Sequence, residues 1–155
     1  MLTERLEADL KSAMRAGDSA RVSVLRLTLS AIRNREIAAK SKETGLLDEE
    51  VIAVLKAEAR KRRDAAAEFR KGGRPETAAK EESEAEMLQF YLPEEATDEE
   101  IEKAVESAIR ETGASGVGDF GKAMKAAMAA LKGRADGSRV SAAVKKVLSA
   151  GGSET

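Results

Sequence analysis

Apolar residues recur along this chain at steps of three and four, the spacing that lays one stripe along an α-helix, and strand signals are absent. Leu2, Leu6, Leu10 and Met14 repeat at four-residue spacing, and Gly17 follows where a left-handed C-terminal cap would close a first helix. Asp18 or Ser19 can start a second helix. In it Val22, Leu25, Leu29 and Ile32 form the stripe, while Arg21, Arg26, Arg33 and Arg35 take the polar face. After KSKETG (40–45), Asp48 precedes a third helix with Ile52, Leu55, Ala59, Ala66 and Phe69 on its apolar side, ended by Gly72 and Gly73. Pro75 suits the first turn of a fourth, where its missing N–H sacrifices no intrahelical bond. That helix ends in the apolar cluster Met87, Leu88, Phe90, Tyr91 and Leu92, and the third and fourth helices are expected to form an antiparallel hairpin.

Leu92 and Pro93 mark the clearest boundary, since Pro93 ends one pattern and EEAT leads into a new start signal. Thr97 and Glu100 fit a capping box, worth ~1 kcal/mol, with Ala96 and Ile101 as a weak hydrophobic staple. A fifth helix then runs through Ile101, Val105, Ala108 and Ile109 to Gly113. A sixth takes Val117, Phe120, Met124, Met128 and Leu131 inward. The turn KGRADG (132–137) follows, bracketed by Gly133 and Gly137, and Asp136 can cap a seventh helix carrying Val140, Val144, Val147 and Leu148. The expected fold is all-α, with a helical unit of about four helices over 1–92, a three-helix unit over 93–150 and a loose tail at 151–155.

Composition narrows the chemistry. The 155 residues contain no Cys and no His, which excludes disulfides, thiolate and histidine-based catalysis, and zinc sites built on those ligands. The four aromatic residues, Phe69, Phe90, Tyr91 and Phe120, are too few for a base-stacking platform. No apolar run approaches the roughly 20 residues that span a bilayer, and Glu4, Glu7 and Asp9 stand where a signal peptide would be basic and then apolar. These features set the expectation of a cytoplasmic protein with no membrane partner, metal or cofactor. Charge is balanced overall at −1 but not locally: Ser115–Ala150 carries +5, Glu94–Glu111 carries −6 and Lys56–Arg74 carries +5.

Three stretches resemble one known family: MRAGDSARVSVLRLTLSAIRNREI (14–37), EFRKGGRPETAAKEESEAEMLQFYLP (68–93) and DFGKAMKAAMAALKGRADGSRVSAAVKKVL (119–148) are similar to the GatB/YqeY family, and the whole chain to its free-standing YqeY-like members. The resemblance implies an all-helical, two-domain protein. Its C-terminal part is similar to the tail of GatB, a subunit of the glutamine-dependent tRNA amidotransferase, a carbon–nitrogen ligase. That tail contacts tRNA away from the chemistry. On this chain the shared pattern falls on Gly121, Lys122, Met124, Lys125, Lys132, Gly133, Arg134 and Ala135, and departs from the usual tail at Asp136 and Gly137. The amidase and kinase-like catalytic domains have no counterpart here. The implied role is an accessory module with no catalysis of its own, and the implied partners are tRNA, an amidotransferase or other translation proteins.

The residues expected to meet RNA are Lys122, Lys125, Lys132, Gly133, Arg134 and Arg139, whose charges on two adjoining helices and a glycine turn could follow a phosphate path. A solvated polar face is the competing reading of the same residues. Arg60 to Arg63 occupy consecutive helical positions that point in different directions, which fits solvation or ion pairing better than one ligand. Glu81, Glu82, Glu84 and Glu86 fit pairing with neighbouring cations better than a metal site. Met87, Leu88, Phe90 and Tyr91 fit core or an interdomain seam, and as an exposed patch they would instead support a protein-interaction adaptor with no nucleic-acid role. No Ser is singled out as a nucleophile beside a Lys.

Overall fold

The computed structural model describes residues 1–151. It is all-helical, and its seven α-helices are α1 (Leu2–Ala16), α2 (Ser19–Ala38), α3 (Asp48–Lys71), α4 (Pro75–Gln89), α5 (Asp98–Thr112), α6 (Phe120–Leu131) and α7 (Gly137–Gly151). A short 3-10 turn, Val117–Asp119, leads into α6. The chain divides into two compact units, Met1–Leu92 and the part from Pro93 onward. Gly151 closes α7, and the remainder of the expected tail, 152–155, lies outside the described residues.

In the first unit, Gly17 adopts φ 68°, and its N–H and that of Asp18 bond back to Met14 and Ala13 carbonyls, so the chain reverses at once into α2. The Asp18 carboxylate then accepts the Arg21 amide at 3.1 Å as the N-cap of α2. Two details depart from the sequence reading. Asp48 is the first residue of α3 rather than its cap, and its carboxylate accepts the Leu2 amide at 2.9 Å, tying the start of α1 to the start of α3. Met14 is 52% exposed, and Ala13 takes the inward place.

The core of this unit gathers Leu6, Val24, Leu25, Leu29, Ile32, Leu46, Val51, Leu55, Leu88 and Tyr91. Burying each large aliphatic among them contributes about 1.5–3 kcal/mol. Thr28 is buried with them because its hydroxyl donates to the Val24 carbonyl one turn back at 2.8 Å and leaves no polar atom unpaired. The hairpin of α3 and α4 is antiparallel: Arg63 meets Gln89 near one end and Arg70 meets Glu82 further along. Ala59, Ala66, Ala78 and Ala85 are buried on these two helices.

The second unit starts from a complete capping box. The Glu100 amide donates to Thr97 Oγ1 at 3.2 Å and the Thr97 amide donates to the Glu100 carboxylate at 2.8 Å, while Ala96 and Ile101 are both buried beside it. Helix α5 buries Ile101, Val105 and Ala108, and Gly113 caps it at φ 67°. The face of α6 differs from expectation. Its buried residues are Ala123, Ala127 and Leu131, with Phe120, Met124 and Met128 at the margin, and Val117 is 77% exposed in the 3-10 turn. Alanine at the contact lets helices approach more closely than the larger side chains would allow. Helix α7 supplies Val140, Val144 and Leu148.

Candidate nucleic-acid interface

The turn between α6 and α7 places the expected site residues. Lys132 ends α6 in the left-handed region at φ 48°, and Gly133 follows at φ 77°, a conformation that suits a residue without a Cβ. The Gly–Arg–Ala step brings Arg134 and then Arg139, on the first turn of α7, back toward the residues that precede α5. Gly137, expected to bracket the turn, instead opens α7, whose first helical bond runs from the Val140 amide to the Asp136 carbonyl.

Both arginines are engaged there. Arg134 donates from Nε to the Glu94 carbonyl at 3.1 Å and from Nη2 to both Glu100 carboxylate oxygens at 3.2 and 3.1 Å, and its own carbonyl accepts the Ala96 amide at 2.6 Å. Arg139 donates to the Ala96 carbonyl at 3.1 Å and to Asp98 at 2.7 Å, with Glu95 within 3.8 Å. The two guanidinium groups thus strap the 94–98 segment onto the turn. The Thr97 amide first, and then Arg134, hold the Glu100 carboxyl below the usual carboxylate range, and Asp98 raises the Arg139 guanidinium further. The acidic stretch and part of the basic stretch, far apart in sequence, neutralise one another within the unit.

What stays open is a row along α6 and its cap. The side chains of Lys122, Lys125 and Lys132 are exposed and make no ion pair or hydrogen bond among the described residues, although the Lys132 amide closes the helix on the Met128 carbonyl at 3.2 Å. Lys122, Lys125 and Ala129 fall within one helical stripe, opposite the buried Ala123 and Ala127, and Lys132 continues it at the C-terminus. Gly118 and Gly121 lie beside it with open space where a Cβ would point. Lys145 is spent differently, its ammonium 5.8 Å from the Phe120 ring centre, and Lys146 lies 3.8 Å from Glu102.

The basic run of the first unit is paired along the α3–α4 hairpin. Arg62 meets Glu84 at 2.8 Å with Glu81 at 3.9 Å, Arg70 grips Glu82 with two bonds of 2.9 and 2.7 Å, and Arg74 lies over Phe69. The Arg70 guanidinium holds the Glu82 carboxyl below its ordinary value. Glu81, Glu82 and Glu84 are therefore ion-pair partners. At the end of α4, Leu88 and Tyr91 belong to the core, whereas Phe90 is 68% exposed, its ring edge-on to Tyr91 at 5.4 Å with Arg5 over both rings. Sequence reasoning missed this Arg5 stack and the Tyr91–Asp9 hydrogen bond, because nothing local links residues 82 positions apart.

Comparison with known proteins places this geometry in context. The family model described as Yqey-like protein matches residues 3–148. Among curated proteins, the Altered inheritance of mitochondria protein 41, mitochondrial, of Lachancea thermotolerans is 37% identical over 109 residues, covering 68% of this chain and 57% of that protein. The protein of the same name from Pyrenophora tritici-repentis is 31% identical over 149 residues, covering 94% and 80%. That from Kluyveromyces lactis is 40% identical over 87 residues, covering 56% and 45%. The chain thus spans about half the length of the Lachancea and Kluyveromyces relatives. The expectation of a cytoplasmic protein is corrected by these relatives, whose names are mitochondrial. Glu4, Glu7 and Asp9, which set that expectation, are residues of the folded α1, where Glu4 and Glu7 are exposed and Asp9 accepts the Tyr91 hydroxyl. No helix among the described residues is long and apolar enough to cross a membrane.

Proposed function

The chain belongs to the YqeY-like family, and from that premise we propose that it is a non-catalytic accessory module whose α6 face binds the phosphate backbone of a folded RNA, with tRNA the first to test. One observation carries the reading: the side chains of Lys122, Lys125 and Lys132 form an exposed row with no ion pair or hydrogen bond among the described residues, while the neighbouring Arg134 and Arg139 are engaged in internal ion pairs. Long, flexible ammonium groups left unpaired beside Gly118, Gly121 and Ala129 suit contact with a phosphate chain, since small neighbours let a bulky backbone come close. The GatB-tail resemblance in the same stretch supplies tRNA as the RNA of choice and an amidotransferase as its setting. The set of contact residues is narrower than the sequence reading: Arg134 and Arg139 shape the turn, Gly133 allows it, and the three lysines meet the ligand.

Such binding is electrostatic, so affinity falls steeply with salt and depends on RNA shape more than on base sequence. The test is filter binding of folded tRNA at two salt concentrations to the wild type and to a triple variant, Lys122→Ala, Lys125→Ala and Lys132→Asn. Asn keeps the left-handed backbone accessible at 132. Each replacement is expected to weaken binding about fivefold, equivalent to ~1 kcal/mol, and to shift stability by under ~0.5 kcal/mol. Arg60→Glu on α3 is the control and leaves affinity within about twofold. An unchanged triple variant would overturn the reading. The adaptor alternative, favoured by the exposed Phe90 at the end of α4, would then take its place.

A further inference from the structure

The first unit contains a cavity of about 320 Å³ between α2 and the end of α4, lined by Arg21, Val24, Leu25, Met87, Leu88, Phe90 and Tyr91. The space is half open to solvent: Val24, Leu25 and Leu88 of the core form its inner wall, and the exposed Phe90 stands at its rim. Its volume sits at the small end of the ~300–1,000 Å³ range of sites that take small organic molecules.

The polar chemistry of the lining is sparse, limited to the Arg21 guanidinium and the Tyr91 hydroxyl. The Tyr91 hydroxyl donates to the Asp9 carboxylate, so its proton is already spent, and Asp9 is held in the same bond. Arg21 is the one charged residue of the lining. A guanidinium carries five donors in a planar fork. Arg5, stacked at 5.2 and 5.1 Å from the Phe90 and Tyr91 ring centres, adds a second positive charge beside the aromatic wall. The remaining surface is aliphatic or aromatic.

We propose that this cavity is a binding site for a small apolar carboxylate, the size of a medium-chain acid, with its hydrocarbon against Val24, Leu25, Met87 and Leu88 and its carboxylate on Arg21. Arginine meets a carboxylate with two parallel bonds, a geometry that neither an alcohol nor an amine reproduces. The apolar walls supply affinity and the single guanidinium supplies selection. This site lies in the first unit and is independent of the RNA reading, which rests on α6.

Methyl-detected NMR of the full chain, titrated with octanoate, 1-octanol and octylamine, tests it. Octanoate is expected to shift the Val24, Leu25, Met87 and Leu88 methyls saturably, 1-octanol to bind about tenfold more weakly, and octylamine to leave them unmoved. Arg21→Gln should bring octanoate down to the affinity of 1-octanol, and Met87→Trp should fill the space and abolish both. Should Met87→Trp fail to fold, the Arg21→Gln comparison decides alone. Equal binding of the three probes, shifts as large at the exposed Met14 and Leu27 methyls as in the cavity, or no shift at all would each overturn the proposal.

Discussion

The two units bury their helices by different means. In the first, the centre is filled by Leu6, Leu25, Leu29, Ile32, Leu55 and Leu88. In the second, Ala96, Ala108, Ala114, Ala123, Ala127 and Ala135 share the core with Ile101, Val105, Leu131, Val140, Val144 and Leu148, so alanine makes up half of it. A buried leucine removes much apolar surface from water, and its loss leaves a hole. A buried alanine contributes less surface, but it permits close helix approach and leaves no room for growth. The second unit offsets its thinner apolar gain with polar fastening at one end, where the capping box and the two arginine clamps hold 94–100. Stripes of the same period therefore specify two kinds of core, one vulnerable to deletion and the other to insertion.

That contrast predicts opposite sensitivities. Leu55→Ala, at a position with no exposure, should cost ~2–5 kcal/mol in urea unfolding followed by the fluorescence of Tyr91, the chain's one tyrosine in a sequence without tryptophan. A loss below ~1 kcal/mol would mean the leucine core collapses around the gap and the contrast fails. Ala127→Leu, which adds volume where α6 packs, should cost ~1–3 kcal/mol by far-ultraviolet circular dichroism. A neutral or stabilising result there would show that the alanine contacts are loose.

These positions also show how much could be read from the chain. Helix number and order, the Gly17 and Gly113 caps, the Asp18 cap and the Thr97–Glu100 box were legible because each depends on residues within one or two turns. The inward face of α6 was legible in part: Leu131 is buried and Phe120, Met124 and Met128 pack against the core, but Val117 is exposed and the alanines take the centre. Phe120, Met124 and Met128 look more apolar than Ala123 and Ala127, yet close packing selects for size as well as hydropathy. In the candidate site, the lysines were legible as charges on one face, but the roles of Arg134 and Arg139 were not. Their partners lie some 40 residues away, and a local count of charge cannot see a bond of that span. The Arg21 cavity was likewise hidden, since it joins residues near 24 with residues near 90.

The fastening of the second unit gives a smaller effect with a pH signature. Thr97→Ala removes the acceptor for the Glu100 amide and should cost ~1 kcal/mol in thermal or urea unfolding. The Glu100 carboxyl is lowered by the Thr97 amide and by Arg134, so its favourable contribution is complete above the ordinary carboxylate range and is lost as pH falls through the lowered folded value. The reciprocal partner of the box therefore weakens in acid. The difference between wild type and Glu100→Gln should shrink as pH is lowered through that range, and a difference that stays constant would show that the charge on Glu100 plays no part.

The smallest effect at neutral pH concerns the one ionisable side chain that closes the leucine core. Burial raises the Tyr91 phenol above its ordinary value of 10.0, the hydrogen bond to Asp9 raises it further, and Arg21 pulls in the opposite direction. Because the folded value exceeds the unfolded one, this group's stabilisation is fully present below pH about 10 and is lost as pH rises through the folded value. With one tyrosine and no tryptophan, phenolate absorbance reports this residue alone. The titration midpoint should lie above 10.0, move down in Asp9→Asn and move up in Arg21→Gln. Tyr91→Phe should lose the alkaline decline in stability while the leucine core stays folded. A midpoint at or below 10.0 would mean that Arg21 outweighs burial and Asp9 together, and that this edge of the first unit is wetter than its packing implies.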